Sequence, residues 1–151
     1  MVKVLVGCPT ADTHKYCIDD YEKAVNNLTF KDKRVLLVDN SKDNSYSLLL
    51  KRKGFEVVKT NYSEYARERI VRSRNILREI VLNEEYDYFF SLEQDVIPPK
   101  DCVERLLRCK KDIVSGVYFS RIKSLKYKKV KVLPLLWTWK EGSNNPGSMA
   151  D

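Results

Sequence analysis

Glu93 and Asp95 are two carboxylates one residue apart, in the stretch YDYFFSLEQDVIPP at residues 86–99. Tyr86, Tyr88, Phe89, Phe90, Ser91 and Leu92 form an aromatic and apolar run that leads straight into Glu93-Gln94-Asp95, and Pro98-Pro99 end the extended segment. Side chains two apart share one face of a strand. At a strand end, where the chain turns, such a pair can aim both acids at one point. Two carboxylates on one point suit a hard divalent cation, which takes oxygen ligands. Ligands of open α/β sheets bind beyond the carboxyl ends of the strands. The run 86–92 therefore reads as a buried strand, central in the sheet by chain order, that delivers two acids to a site.

The other walls of that site must come from neighbouring strand ends. Residues 2–7 (VKVLVG) form a short β-branched run ending at Cys8-Pro9-Thr10, and 11–14 read as loop. From 16 to 28 the apolar positions Ile18, Tyr21, Ala24, Val25 and Leu28 recur at helical spacing. Residues 34–38 (RVLLV) are a near-continuous apolar strand of the kind buried in parallel sheets, followed by the turn cluster DNSKDNS at 39–45. That cluster can cap a helix at 46–53, closed by Gly54, with a third strand at 55–60. The longest helix spans 63–83, with Ile70, Val71, Leu77, Ile80 and Val81 inward and Arg67, Arg69, Arg72, Arg74 and Arg78 on the other side. Pro98-Pro99 open a helix at 100–109, and 112–119 (DIVSGVYF) is expected as a fifth strand. Strands alternating with helices predict an α/β fold with a mostly parallel central sheet flanked by helices. Pro9-Thr10, Asp39-Asn40, Asn61 and Glu93-x-Asp95 then share one sheet edge. Asp39 fits a helix-capping role as well as a binding one.

The chain has 151 residues, 43% hydrophobic and 32% charged, which fits one soluble globular domain. That domain is expected over 1–140, with the polar 141–151 (EGSNNPGSMAD) as a flexible tail. A net charge of +7 favours an anionic partner: nucleotide phosphates, nucleic acid or an acidic membrane surface. The four cysteines, Cys8, Cys17, Cys102 and Cys109, lack the close pairs of zinc or redox motifs. A Cys8–Cys17 disulfide stays open. No apolar stretch reaches membrane-span length, and the expected location is cytoplasmic. Residues 121–131 carry six basic residues and no acid. They read foremost as a lysine-protected edge strand, next as a surface for an anionic acceptor or membrane, with Trp137 and Trp139 as a platform. Nucleic-acid binding is the weakest of these readings, because no nucleic-acid motif is present.

Five pieces in order carry a family resemblance: the first strand into CPT, VLLVDNSKDNS, RSRNILREIV, DYFFSLEQDVIPP and DIVSGVYFSR. Together they resemble the inverting family 2 glycosyltransferases and their relatives, whose Rossmann-like fold is the nucleotide-diphospho-sugar transferase or GT-A architecture. The resemblance covers roughly residues 2–121. It implies that Asp39 holds the nucleotide base and that Arg74-Asn75 lines the nucleotide, alongside Pro9 and Thr10. It implies further that Glu93-Gln94-Asp95 stands in for the family's Asp-x-Asp, holding Mg²⁺ or Mn²⁺ and the diphosphate, with Asp95 the main ligand. Glu93 departs from the usual aspartate. The family's downstream acid base has no counterpart, since only Glu141 and Asp151 follow Asp112. The catalytic base therefore has no candidate residue. The implied activity is metal-dependent transfer of a sugar from a nucleotide-sugar donor to an acceptor that is a glycan, lipid or protein. The competing reading is a non-catalytic basic α/β module for nucleic acid or acidic surfaces. Contact with an anionic membrane and association with a second copy stay open.

Overall fold

The computed structural model describes residues 1–123, 130–134, 137–139 and 146–148. They fall into two compact units, Met1–Arg108 and Cys109–Asp151. The first is built on four strands, β1 (Val4–Thr10), β2 (Lys33–Asp39), β3 (Glu56–Lys59) and β4 (Tyr88–Ser91), all parallel in the order β3-β2-β1-β4. The helices are α1 (Ile18–Asn26), α2 (Ser45–Arg52), α3 (Ala66–Asn83) and α4 (Cys102–Arg108), with a 3-10 segment at Asp12–Cys17 before α1.

Every residue of β1 is buried, as a strand covered on both faces requires. Alternation sorts its side chains. Val4, Val6 and Cys8 pack with Ile18, Tyr21 and Val25 of α1, Tyr46 and Leu50 of α2, and Val103 of α4. Leu5 packs with Leu36, Val38 and Leu77 under α3. Three helices thus cover one face and α3 the other.

Gly7 lies on the α3 face, and its lack of a side chain has a steric reason. A Cβ there would meet the Phe89 ring at 2.6 Å and Leu77 Cδ2 at 2.8 Å. Phe89 is partly exposed and can swing away, but Leu77 is buried between α3 and the sheet. Gly7→Ala is expected to lower stability by about 1–3 kcal/mol, the usual range for overpacking. The check is a lower urea midpoint with an unchanged denaturant slope.

Pro9 sits in a central strand without breaking it. Gly7 O accepts from Leu92 N and Thr10 O from Asn40 N, so alternate residues of β1 address β4 and β2 in turn. The position of Pro9 faces the β4 side, where the β1–β4 ladder has already ended at Gly7↔Ser91. Its missing N–H removes no ladder bond.

Several sequence expectations are corrected. The acid-bearing strand β4 is the edge strand of the sheet rather than its centre, paired among the described residues with β1 only. It is correspondingly less buried, with Tyr88 42% and Phe89 40% exposed. Ile70 and Val71 of α3 are exposed, because the inward face of this helix is set by Ser73 and Leu77 with Ile76, Ile80 and Val81 beside them. Residues 112–118 are not strand. Ser115 and Gly116 interrupt that β-branched run, with the Ser115 hydroxyl donating locally to Gly116 O at 3.2 Å in competition with a ladder. The fifth strand instead starts at its last residue: β5 (Phe119–Lys123) pairs antiparallel with β6 (Val130–Pro134), and β7 (Trp137–Trp139) with β8 (Pro146–Ser148), in the second unit. The middle of the basic run, 124–129, and most of the tail lie outside the described residues. Cys8, Cys17 and Cys102 are buried free thiols, so no Cys8–Cys17 bridge forms.

Candidate functional site

Because the four strands are parallel, their carboxyl ends meet on one edge, as the sequence pattern required. Thr10 registers with Asp39 and Asp39 with Lys59. Backbone bonds carry the ladder past the strand ends: Asn40 N to Thr10 O at 2.9 Å, Thr60 N to Asp39 O at 2.9 Å and Leu92 N to Gly7 O at 3.2 Å. Asp12 N also donates to Ser41 Oγ at 2.8 Å, tying the loop after β1 to the loop after β2. Asn40 Nδ2 donates to the buried Ser73 hydroxyl of α3 at 3.3 Å.

The acid pair lies in a turn beyond β4, closed by Val96 N donating to Glu93 O at 3.1 Å. Glu93 Oε1 forms an ion pair with Arg74 of α3 at 2.7 Å. Its Oε2 lies 3.9 Å from the Cys8 thiol, which also donates to Pro9 O at 3.0 Å. Burial pushes the Cys8 thiol well above its ordinary range, and the negative charge of Glu93 pushes it the same way. Cys17 is raised first by burial and then by the charge of Asp95. Asp95 itself is exposed and makes no hydrogen bond or ion pair among the described residues. Of the two acids it is the one ready to accept a ligand.

Gln94, between them, turns the opposite way. It is 1% exposed, and its Oε1 accepts from the hydroxyls of Thr10 and Tyr46, the latter at 3.2 Å. Thr10 therefore contributes its hydroxyl to the interior rather than to the edge. Burial raises the Tyr46 phenol above its ordinary range.

Asp39 is fully buried. Its Oδ1 accepts from Ser41 N at 2.8 Å and from Ser41 Oγ at 2.5 Å, and its Oδ2 accepts from the Ser47 hydroxyl. Lys59 Nζ stands 3.5 Å from Oδ2. The carboxylate thus organises the 39–45 turn and the first turns of α2. Pro9 is buried, and Asn75 is exposed on α3 beside Arg74. Of the residues singled out from sequence, the fold brings Arg74 and Glu93 into direct contact, and it sets Thr10 and Asp39 side by side on adjacent strands.

Sequence reasoning missed Gln94, Tyr46, Ser47, Lys59 and Cys8 as neighbours of the site. Gln94 is the chain's sole glutamine and lies between two acids, which was the available signal. The others become neighbours only through strand register and helix packing.

No family model matches this chain, and no curated protein does. Among solved structures, the crystal structure of S. aureus TarS, a glycosyltransferase, superposes with a TM-score of 0.54 at 16% identity, over 71% of this chain and 19% of that one. The fold is glycosyltransferase-like: an α/β architecture with a four-stranded all-parallel sheet flanked by helices. At that identity the likeness concerns the fold, and this chain spans about a fifth of the TarS chain. Within this α/β architecture, Glu93 and Asp95 sit where the parallel strands end, on the edge that open α/β sheets use for ligands. No three His, Cys, Asp or Glu side chains among the described residues converge tightly enough to hold a metal by themselves. The donor set that does exist, one available carboxylate and one paired with arginine, fits a cation completed by phosphate oxygens and water, the usual mode for Mg²⁺. No helix among the described residues is long and apolar enough to cross a membrane.

Proposed function

We propose that this chain is the nucleotide-sugar-binding part of a family 2-like, metal-dependent glycosyltransferase, which moves a sugar from a nucleoside diphosphate to a glycan, lipid or protein acceptor. One observation carries the reading: on a glycosyltransferase-like α/β fold, Asp95 stands exposed beside Glu93 just beyond the end of β4, without a hydrogen bond or ion pair among the described residues, while Arg74 of α3 pairs with Glu93 at 2.7 Å. In this reading Asp95, with Glu93, holds Mg²⁺ or Mn²⁺. The cation, when bound with the donor, neutralises the charge that develops on the departing diphosphate.

The residues of the chain have separate tasks. Asp95 offers an oxygen that no donor among the described residues occupies. Arg74 is half-exposed and paired with Glu93, so its guanidinium can turn from that carboxylate to a phosphate oxygen as the anion arrives. Asn75 follows it on the exposed side of α3. The loops after β1 and β2, tied through Asp12 N and Ser41 Oγ, supply backbone groups to the base and ribose. In this reading Asp39 acts on the base through the turn it organises. The proton of the acceptor hydroxyl is not assigned to a residue of this chain. A cytoplasmic setting belongs to the same reading, and the buried free thiols agree with a reducing compartment.

The test is calorimetric titration of the full chain with UDP, GDP, ADP and CDP, each with and without Mn²⁺. Saturable binding of at least one nucleotide that requires Mn²⁺ is expected. Absence of such binding for all four sinks the proposal.

A further inference from the structure

Gln94 carries a contradiction that packing alone does not resolve. Its amide is buried, and Nε2 has no hydrogen-bond partner among the described residues. A buried donor left unsatisfied is unfavourable, so an apolar side chain of similar size would fill the space at lower cost. What an apolar side chain cannot do is accept from two buried hydroxyls. Gln94 Oε1 does so, receiving Thr10 from the end of β1 and Tyr46 from α2. A glutamate would accept as well, but it would bury a third negative charge beside Glu93 and Asp95. The carboxamide is the neutral group that can pin both hydroxyls between two acids.

We propose that Gln94 is a positioning residue, a latch that fixes the 93–96 turn on β1 and α2 and so sets where the Asp95 carboxylate stands. Gln94 and Asp95 are the two central residues of that turn, closed by Val96 N to Glu93 O at 3.1 Å. Holding one central side chain inward fixes the rotation of the turn, and the other central residue is thereby held at the edge. Glu93, at its start, keeps its place between Arg74 and Cys8. The part of this role that concerns a cation rests on the function proposed above.

The experiment uses the full chain with Gln94→Leu, the milder Thr10→Val, their double variant, and Val25→Ala as a control that loosens the core under the sheet without removing a hydrogen bond to the turn. Two readouts are taken well below each variant's melting temperature: amide hydrogen exchange across 92–96, and Mn²⁺ affinity and line shape by electron paramagnetic resonance with the nucleotide the wild type binds. Gln94→Leu is expected to speed exchange at Asp95 and Val96 and to weaken Mn²⁺ binding about 10–100-fold, the usual effect of losing support behind a ligand. Thr10→Val is expected to do part of this, and the double variant no more than Gln94→Leu alone, because Thr10 acts only through its bond to Gln94. Val25→Ala should lower the melting temperature and leave both readouts unmoved. The latch is overturned if Gln94→Leu leaves exchange and affinity at wild-type values, or if Val25→Ala moves them equally. If the wild type binds Mn²⁺ with none of the four nucleotides, the cation role falls, and the exchange data alone decide whether Gln94 holds the turn.

Discussion

Asp95→Ala is expected to abolish Mn²⁺-dependent nucleoside diphosphate binding, a loss of at least about 100-fold on the scale of removing a metal ligand's support or the ligand itself. Two features make this the cleanest test. The carboxylate makes no hydrogen bond or ion pair among the described residues, so its removal leaves no buried partner exposed to loss. Exposed substitutions of that kind change stability by no more than about 0.5 kcal/mol. Loss of binding will therefore not be a disguised loss of folding, and an unchanged melting curve checks this directly. Glu93 behaves differently: its pair with Arg74 involves side chains 44% and 51% exposed, where solvent screening leaves little net energy. Glu93→Gln should weaken binding less than Asp95→Ala does. The rival reading, a basic module for polyanions, makes the opposite forecast. With a net charge of +7, binding to a generic polyanion would fall steeply with salt and would survive or improve on Asp95→Ala. A chain that binds nucleotide equally well with and without Asp95 is not using it for a cation.

Much of the parallel sheet was legible because its strands are short apolar runs followed by turn residues. The expected runs 2–7, 34–38 and 55–60 fall on β1 (Val4–Thr10), β2 (Lys33–Asp39) and β3 (Glu56–Lys59), with boundaries shifted by up to three residues, and the strand ends share an edge. Strand order was not legible in the same way. Chain order placed the aromatic run 86–92 at the centre, but the ladder stops at β4, and its partly exposed Tyr88 and Phe89 follow from that edge position. Burial inferred from composition assumes a neighbour on each side, and DIVSGVYF, the expected neighbour, is not strand over 112–118. Side-chain direction at the site was the other gap. Acid-x-acid spacing names Glu93 and Asp95, yet the middle residue proved to be the one committed to the interior. Nothing in a period-2 pattern reveals that Thr10 and Tyr46, 84 and 48 residues away from Gln94, share its carboxamide.

Asp39→Ala should be a folding lesion before it is a binding one. A residue that only touched the nucleotide base could be truncated at little cost to the empty protein. Asp39 is instead 0% exposed and accepts from Ser41 N, Ser41 Oγ and the Ser47 hydroxyl, with Lys59 Nζ at 3.5 Å. Truncation leaves those donors without their acceptor and Lys59 without its counter-ion. Removing one partner of a buried charged network typically costs about 3–5 kcal/mol. Against a total stability of about 5–15 kcal/mol for a domain, that is a large fraction. Asp39→Asn should fall between, since its amide oxygen can still accept from Ser41 while its –NH₂ confronts Ser47 and Lys59. Urea unfolding of the empty protein is the measurement, with Asp39→Ala lowest, Asp39→Asn intermediate and wild type highest. The loops after β1 and β2 are joined through Ser41 Oγ, which also donates to Asp39, so loosening the turn should disturb the nucleotide edge as a consequence. If Asp39→Ala instead unfolds at the wild-type urea concentration and loses nucleotide affinity alone, Asp39 acts by direct contact with the base, and the turn-organising role assigned to it is wrong.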